Sequence, residues 1–301
     1  EGGTSLDLSD AAQIVLTGGG QAAAQAVQSL RMAGYTGKLV LVGDEPALPY
    51  QRPPLSKAYF KGEMPEERLY LRPAEFYAAQ NIDLRLSTQA TAIDAGEKRV
   101  RLSGGSTLTY DKLIVATGSR PRLLTVPGAD LANVRVLRTL EDVDGLIPLA
   151  RKGAKLAIIG AGYIGLEAAA AARHLGLQVT VIEALDRVLA RVTGPEISTF
   201  MTQEHERQGA DIILNAQVTG FEGVEGRLTG VNIDGRDSVP CDIALIGIGI
   251  VPNTEIAEAA GLTCNDGVVV DEDARTSNAD IFAIGDCARR PLPPSSAPGQ
   301  P

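Results

Sequence analysis

A short apolar run, followed by a glycine-rich turn and a longer helical run, occurs twice along the chain. Residues 156–159 (LAII) have the length of a fully buried parallel strand, and a helix is predicted over residues 166–175. Residues 14–16 (IVL) form the earlier run, with a helix predicted over residues 22–32. A second apolar strand follows each helix, at residues 39–42 and 178–182. The pattern therefore predicts two βαβ units with parallel strands.

The remaining pattern adds strands and helices to both units. Apolar strands are predicted at residues 113–116 and 243–246, and shorter strands at 82–86, 90–93, 99–102 and 108–110. Helices are predicted over residues 63–80, with an interruption at Pro73, and over 195–208. A hairpin near residues 227–234 and late strands at 268–270 and 280–284 complete the prediction.

Both glycine-rich turns match the fingerprint of dinucleotide binding. The later turn fills G-x-G-x-x-G with Gly160, Gly162 and Gly165, and the earlier turn fills G-x-G-x-x-A with Gly18, Gly20 and Ala23. The first position makes a tight turn, the second lets a pyrophosphate approach the backbone, and the third lets helix and strand pack closely. The N-terminus of the following helix offers free N–H groups to the phosphates.

An acidic residue follows each fingerprint by about twenty residues, where a carboxylate is expected to bind ribose hydroxyls. Glu183 ends the strand at 178–182, and Glu45 follows the strand at 39–42, with Asp44 as a neighbour that could take the same role. One chain therefore carries two complete dinucleotide-binding patterns.

The order of these patterns predicts an α/β fold of two Rossmann-like dinucleotide-binding domains, three-layered, with parallel sheets and β-meanders. The first domain takes residues 10–120 and 253–290, and the second, residues 121–252, is inserted in it. Residues 1–11 are expected to be poorly ordered. The tail at 291–301, with five prolines, has little to bury and is expected to be disordered.

Composition and charge limit the partners. With 301 residues, 44% of them apolar, the chain can bury two cores. A net charge of −9 argues against nucleic acid, because neutralising phosphates needs clustered Lys and Arg. No apolar run approaches the roughly twenty residues of a membrane span. No charged-then-apolar leader precedes the first predicted strand, so we expect a cytoplasmic protein.

Cysteines and histidines offer little chemistry of their own. Cys241, Cys264 and Cys287 have none of the close spacings of a redox dithiol, and we expect no disulfide framework. His174 and His205 are the two histidines, both in predicted helices, and no metal site is expected.

Residues 49–57 (PYQRPPLSK) form a proline-rich loop, and the helix after it is predicted to begin at Leu55 or Ser56. The loop presents Arg52 and Lys57, either to solvent or to an anionic cofactor. Further on, Thr139 is predicted to cap a helix together with Asp142.

Several motifs together resemble those of the FAD-dependent ferredoxin reductases of bacterial oxygenase systems, over about residues 12–288. They are PYQRPPLSK (49–57), ATGS (116–119), RTLED (138–142), IIGAGYIGLE (158–167), GIGIVPN (247–253) and GDCA (285–288). This chain departs from the family in two ways. The family continues past GDCA with a third α/β domain, which we expect this chain to lack. Thr17 precedes Gly18, where an apolar residue is usual.

The resemblance implies two cofactors, FAD on the first fingerprint and NADH on the second. The residues implied for FAD are Gly18, Gly20, Ala22, Ala23, Asp44, Glu45, Arg52, Lys57, Ala90, Arg138 and Asp286. Those implied for NAD(H) are Gly160, Gly162, Ile164, Gly165, Glu183 and Gly249. The resemblance further implies that Lys57 and Glu167 pair at the flavin as catalytic residues.

The implied reaction is NADH:ferredoxin oxidoreduction. A hydride would pass from NADH to FAD, and single electrons would go on to a small [2Fe–2S] ferredoxin or rubredoxin that feeds an oxygenase. Three alternatives stay open: a disulfide reductase, which needs paired cysteines, an NADH oxidase, and a non-catalytic NAD(H)-binding flavoprotein of redox signalling.

Overall fold

The structure is a computed structural model that describes residues 13–290. The predictions made for residues 1–11 and for the tail at 291–301 lie outside the described residues. The chain folds into two units. Among the described residues, unit 1 takes 13–51, Tyr70–Arg120 and 251–290, and unit 2 takes Arg52–Leu69 and Pro121–Ile250.

The strands, in chain order, are β1 (Gln13–Thr17), β2 (Lys38–Val42), β3 (Ile82–Arg85), β4 (Ala90–Asp94), β5 (Arg99–Leu102), β6 (Thr107–Thr109), β7 (Lys112–Val115), β8 (Ser119–Pro121), β9 (Val134–Val136), β10 (Lys155–Ile159), β11 (Gln178–Ile182), β12 (Asp211–Ile213), β13 (Val218–Val224), β14 (Arg227–Ile233), β15 (Val239–Pro240), β16 (Ile243–Ile246), β17 (Ile250–Pro252), β18 (Val268–Val269), β19 (Ile281–Ala283) and β20 (Ala288–Arg289). The α-helices are α1 (Gln21–Met32), α2 (Ala74–Ala79), α3 (Leu140–Leu146), α4 (Tyr163–His174), α5 (Pro195–Arg207) and α6 (Glu255–Ala259). Strands β8 and β17 carry the chain from unit 1 to unit 2 and back.

Unit 1 is built on a parallel sheet in the order β19-β7-β1-β2-β3. Side chains of β1 alternate between two core clusters: Ile14 and Leu16 pack with Val27 of α1. Val15 belongs to the opposite cluster, with Val100 of the antiparallel meander β4-β5-β6. Helix, sheet and meander thus form three layers in this unit.

Unit 2 repeats this arrangement with a parallel sheet in the order β12-β11-β10-β16-β9. Ala157 and Ile159 of β10 pack with Phe221 and Val231 of the antiparallel meander β13-β14-β15. The predicted α/β class, with parallel sheets and β-meanders, is confirmed.

The helix predicted over residues 63–80 is wrong. The structure has a 3₁₀ turn at Glu66–Arg68 and the short helix α2, and each begins directly after a proline, Pro65 and Pro73. Proline removes a backbone donor from a helix interior, so these two positions start helical segments and do not continue one.

The start of the helix in the 49–57 loop is also displaced. A 3₁₀ helix covers Pro53–Ser56, with the prolines in its first turn, where a helix was predicted to begin at Leu55 or Ser56. The α4 helix begins at Tyr163, three residues earlier than the predicted start at residue 166, because Gly162 already acts as its N-cap.

Candidate functional site

The first glycine of each fingerprint occupies a position that a side chain would block. Gly18 has a φ of +123° and Gly160 a φ of +102°, both in the left-handed region that favours glycine. A Cβ added at Gly18 would lie 1.9 Å from the carbonyl oxygen of Ala116. At Gly160 it would lie 2.3 Å from the carbonyl oxygen of Gly247. Each turn can therefore pack against the residue that follows a neighbouring strand, β7 or β16, only because the first residue of the turn is glycine.

The second glycine of each fingerprint faces open space. Gly20 and Gly162 are the N-caps of α1 and α4, and a Cβ added at either would meet no heavy atom within 4 Å. Neither helix has a side-chain cap or an acidic residue in its first turn. By contrast, α3 is capped by Thr139 and carries Glu141 in its first turn. The two fingerprint helices thus offer bare N–H groups and room for an anion, which fits a pyrophosphate.

The third positions are packing positions. A Cβ added at Gly165 would lie 2.2 Å from the carbonyl oxygen of Gly160, so α4 and its turn are in contact there. Ala23 is fully buried in the core cluster beneath α1.

A cavity of about 470 Å³, here called the unit 1 cavity, lies at the carboxyl ends of β1 and β2. Gly18, Asp44 and Ala90 line it, so three of the residues implied for FAD meet there. Glu45 is not among its lining residues; its Oε2 accepts a hydrogen bond from the Tyr50 hydroxyl at 2.5 Å. Of the two acids considered for the ribose, Asp44 is therefore the one that lines the cavity.

The GDCA segment, which begins at Gly285, lies against the start of α1. A Cβ added at Gly285 would lie 2.8 Å from the Cβ of Ala22. Beside Gly285, Asp286 accepts a hydrogen bond at Oδ2 from the Ser119 hydroxyl at 2.9 Å. The sequence analysis did not name Ser119, although it lies in the ATGS motif.

A larger cavity of about 660 Å³, the unit 2 cavity, surrounds the second fingerprint. Gly160, Gly162, Glu183 and Gly249, all implied for NAD(H), line it. Gly165 and Ile164 are not among its lining residues; Gly165 is buried and Ile164 is partly exposed. Four of the six residues implied for this cofactor therefore share one cavity.

Glu183 is held in place by the backbone. Its Oε2 accepts a hydrogen bond from the Ala161 N–H at 2.7 Å, inside the glycine turn, and its Oε1 accepts one from the Leu185 N–H at 2.9 Å. Each carboxylate oxygen keeps acceptor capacity for a ligand. The backbone thus fixes the orientation of this acid at the end of β11.

The arginines near Glu183 differ in their contacts. Arg187 donates to the carbonyl oxygens of Ala190 and Thr193, at 2.9 and 2.8 Å, and is committed to its own loop. Arg122 and Arg191 line the unit 2 cavity, and neither side chain has a hydrogen bond or an ion pair within residues 13–290. Two cations are therefore available to an anionic ligand there.

Lys57 and Glu167 meet within unit 2. The Lys57 Nζ lies 2.7 Å from Glu167 Oε2, and the two side chains are 48% and 32% exposed. The hydroxyl of Ser56, which is buried, donates to the same carboxylate oxygen at 2.6 Å. Sequence reasoning paired Lys57 with Glu167 but missed Ser56, which it treated only as a possible helix start.

The loop that carries Lys57 is fastened to α3. Arg52 donates from Nη1 to the carbonyl oxygen of Arg138 at 2.8 Å. The N–H groups of Arg138 and Thr139 donate to Asp142 Oδ2, which completes the predicted capping box. Tyr59 adds a hydrogen bond to Asp144 at 2.7 Å.

All three cysteines are free; Cys241 and Cys287 are buried, and Cys264 is partly buried. Burial raises the pKa of Cys241 to about 12 and also raises the pKa of Cys264. Cys287 is fully buried, with its Sγ 3.3 Å from the carbonyl oxygen of Ile284. Within residues 13–290, no group of three or more His, Cys, Asp or Glu could hold a metal ion. No helix in this part of the chain is long and apolar enough to span a bilayer.

Comparison with known proteins gives a consistent result. The family pattern described as pyridine nucleotide-disulphide oxidoreductase matches residues 12–299. A probable ferredoxin reductase of Castellaniella defragrans is 45% identical over 281 residues, which cover 93% of this chain and 69% of the relative. Rhodocoxin reductase of Rhodococcus erythropolis is 45% identical over 280 residues, which cover 93% of this chain and 66% of the relative.

Among solved structures, the covalent putidaredoxin reductase–putidaredoxin complex matches with a TM-score of 0.90 and 43% identity. The match covers 92% of this chain and 68% of that one. The chain spans between 66% and 71% of the length of the curated relatives it matches. These matches confirm the predicted resemblance and the two predicted cofactors, FAD and NAD(H). The chain belongs to the pyridine nucleotide-disulphide oxidoreductase family.

Proposed function

We propose that the chain is a cytoplasmic FAD-dependent NADH:ferredoxin oxidoreductase. The observation that carries the proposal is the presence, in one chain, of two uncapped helix N-termini, each behind a glycine turn and each beside its own cavity. When bound, FAD would supply the redox chemistry, accepting a hydride from NADH and passing electrons singly to a small iron–sulfur protein.

The unit 1 cavity is proposed to hold the ADP half of FAD. The bare N-terminus of α1 would bind the pyrophosphate, and Asp44, which faces the cavity, would accept hydrogen bonds from the ribose. Glu45, which accepts a hydrogen bond from Tyr50, would lie at the edge of the same ribose-binding region. The domain assignment, with FAD on the first fingerprint and NADH on the second, follows from this proposal.

The unit 2 cavity is proposed to hold NADH. Glu183, fixed by two backbone N–H groups, would accept hydrogen bonds from both ribose hydroxyls and repel a 2′-phosphate. Arg122 and Arg191 would attract the pyrophosphate.

Lys57 and Glu167 are proposed to act at the flavin. Lys57 would supply a positive charge, and Glu167 would hold that charge in one place through the 2.7 Å contact. Ser56 would orient Glu167 from its buried side. No side chain is asked to act as a nucleophile.

Partners of the ferredoxin or rubredoxin class are proposed because the relatives include ferredoxin, rhodocoxin and putidaredoxin reductases. The buried, high-pKa thiol of Cys241 does not suit a disulfide reductase.

Steady-state rates test the proposal. The purified chain, supplied with FAD, would be assayed with NADH alone and then with an added [2Fe–2S] ferredoxin and cytochrome c as final acceptor. We expect slow oxygen consumption with NADH alone and a ferredoxin-dependent rate at least about tenfold higher. A fast oxygen-consuming rate that ferredoxin leaves unchanged would support an NADH oxidase instead.

A further inference from the structure

Thr17 carries a buried hydroxyl group at the edge of the unit 1 cavity. The residue ends β1 and is fully buried. Its Oγ1 has no hydrogen-bond partner within residues 13–290. Thr17 also lines the unit 1 cavity, directly before Gly18.

The surroundings of Thr17 would suit an apolar side chain better. Its register partners on the neighbouring strands are Val42 and Val115. Side-chain alternation along β1 places Thr17 on the same face as Val15, which belongs to an apolar cluster. A hydroxyl left unpaired in such a place lowers stability relative to an isosteric methyl group.

Other hydroxyls that line the cavity are already satisfied. Thr117 Oγ1 donates to the carbonyl oxygen of Asn253 at 2.6 Å, and Thr88 Oγ1 donates to that of Leu86 at 2.9 Å. Among the threonines that line this cavity, Thr17 is therefore the one whose hydroxyl has no hydrogen-bond partner within the described residues.

We infer that Thr17 is a cofactor-binding residue whose hydroxyl donates a hydrogen bond to an oxygen of the ADP half of FAD. The inference rests on the proposed assignment of the unit 1 cavity to FAD. The ADP half is rich in phosphate and ribose oxygens, which are hydrogen-bond acceptors. Binding would convert an unpaired buried donor into a paired one, so this group favours the loaded protein over the empty one.

The test uses substitutions with opposite expected effects on the empty and the loaded protein. Thr17→Val keeps the shape and removes the hydroxyl. We expect the FAD-free chain to unfold at the same temperature or up to about 3 °C higher, because an unpaired donor is lost. We expect FAD, and ADP as a competitor, to bind about three- to tenfold more weakly. Thr17→Ser should retain most of the FAD affinity.

Thr276→Val is the matched control, since it removes a buried hydroxyl of unit 1 that donates to the Ile281 carbonyl oxygen at 2.8 Å and lies outside the unit 1 cavity. It should lower the unfolding temperature of the FAD-free chain and leave the affinity for FAD within about twofold. FAD and ADP affinities would be measured by fluorescence quenching and competition, and unfolding by differential scanning fluorimetry.

Two results would overturn the inference. If Thr17→Val destabilises the FAD-free chain as Thr276→Val does, the hydroxyl has a partner within the protein. If wild type binds FAD and Thr17→Val binds it equally well, the hydroxyl does not contact the cofactor, while the proposed function stands. Failure of wild type to bind FAD at all would remove the proposed function itself, and this inference with it.

Discussion

The two glycine fingerprints share a backbone device and differ in what surrounds it. Both place a positive-φ glycine after a buried strand and a bare helix N-terminus beyond it. In unit 2, Glu183 is fixed by two backbone N–H groups, and two arginines that line the cavity have no side-chain partner among residues 13–290. In unit 1, Tyr50 holds Glu45, Asp44 lines the cavity, and the buried Thr17 hydroxyl has no partner in the same part of the chain. The shared glycine turn and helix N-terminus can bind the pyrophosphate of either dinucleotide. The side chains around each cavity are what can distinguish one dinucleotide from the other.

The largest effect is expected from the first glycines, which should separate the two cofactors. Gly160→Ala places a Cβ 2.3 Å from the Gly247 carbonyl oxygen, so the turn must shift. We expect NADH binding to fall by at least about a hundredfold while FAD stays bound. Gly18→Ala, with a Cβ 1.9 Å from the Ala116 oxygen, should instead release FAD.

Equilibrium dialysis of FAD and a titration with NADH would follow both cofactors in the two variants. Gly62→Ala is the control, because this glycine also has a positive φ, lies outside both fingerprints and has open space at its Cβ position. If either fingerprint variant loses both cofactors while retaining its fold, the assignment of one dinucleotide to each fingerprint fails.

The second effect concerns the pair Lys57 and Glu167. Because the two side chains are 48% and 32% exposed, removing one charge should cost about 1 kcal/mol of folding stability or less. This is smaller than the several kcal/mol expected for a buried pair. We still expect Lys57→Met to slow the bleaching of the flavin band by NADH by about tenfold or more, with NADH affinity nearly unchanged.

Glu167→Gln should cause a smaller and salt-sensitive defect, since Lys57 keeps its charge but loses its ionic partner. Ser56→Ala should fall between wild type and Glu167→Gln. Stopped-flow absorbance measures all three rates. A wild-type rate in Lys57→Met would leave the 49–57 loop as scaffold only.

Local interactions in this site were predictable, and long-range ones were not. The capping box joins Thr139 and Asp142, three residues apart, and its sequence spacing is sufficient to predict it. The glycine turns are local in the same sense. Ser56 and Glu167 are 111 residues apart, and no pattern along the chain brings a serine hydroxyl to that carboxylate. The hydrogen bond from Tyr50 to Glu45 spans only five residues, but it depends on the conformation of the folded loop, which no spacing rule predicts.

The same distinction explains the errors in the fold. Residues 63–80 were predicted as a helix interrupted at Pro73, but Pro65 and Pro73 together divide the segment into short pieces. The three-residue strand β9 lies at the edge of the unit 2 sheet. It is too short to show a strand period, so pairing with β16 defines it.

The third effect concerns the preference for NADH over NADPH. We expect kcat/KM to favour NADH over NADPH by at least about tenfold, since Glu183 repels a 2′-phosphate. Glu183→Gln should reduce this preference, because the neutral amide no longer repels the 2′-phosphate. Arg187→Ala is the control: it should lower stability and leave the preference unchanged, because Arg187 is bound to its own loop. Equal kcat/KM values for the two cofactors in wild type would contradict the role of Glu183.

The smallest effect is expected from the thiols. Cys241→Ser and Cys264→Ser together should retain electron transfer from NADH to ferricyanide within about twofold, because the raised pKa of both thiols makes them poor redox nucleophiles. Cys287→Ser should behave similarly, with a modest loss of stability at its buried position. Loss of ferricyanide reduction in the double variant, with FAD still bound, would revive the disulfide reductase alternative.

We propose that one chain binds FAD and NADH at two separate sites and transfers electrons from NADH to FAD. The most direct measurement is the visible spectrum of the purified chain, supplied with FAD, freed of unbound cofactor and then titrated anaerobically with NADH. We predict a flavin absorbance band that stays with the protein and bleaches with about one equivalent of NADH. A protein that retains no flavin, or retains a flavin band that NADH leaves unchanged, would contradict it.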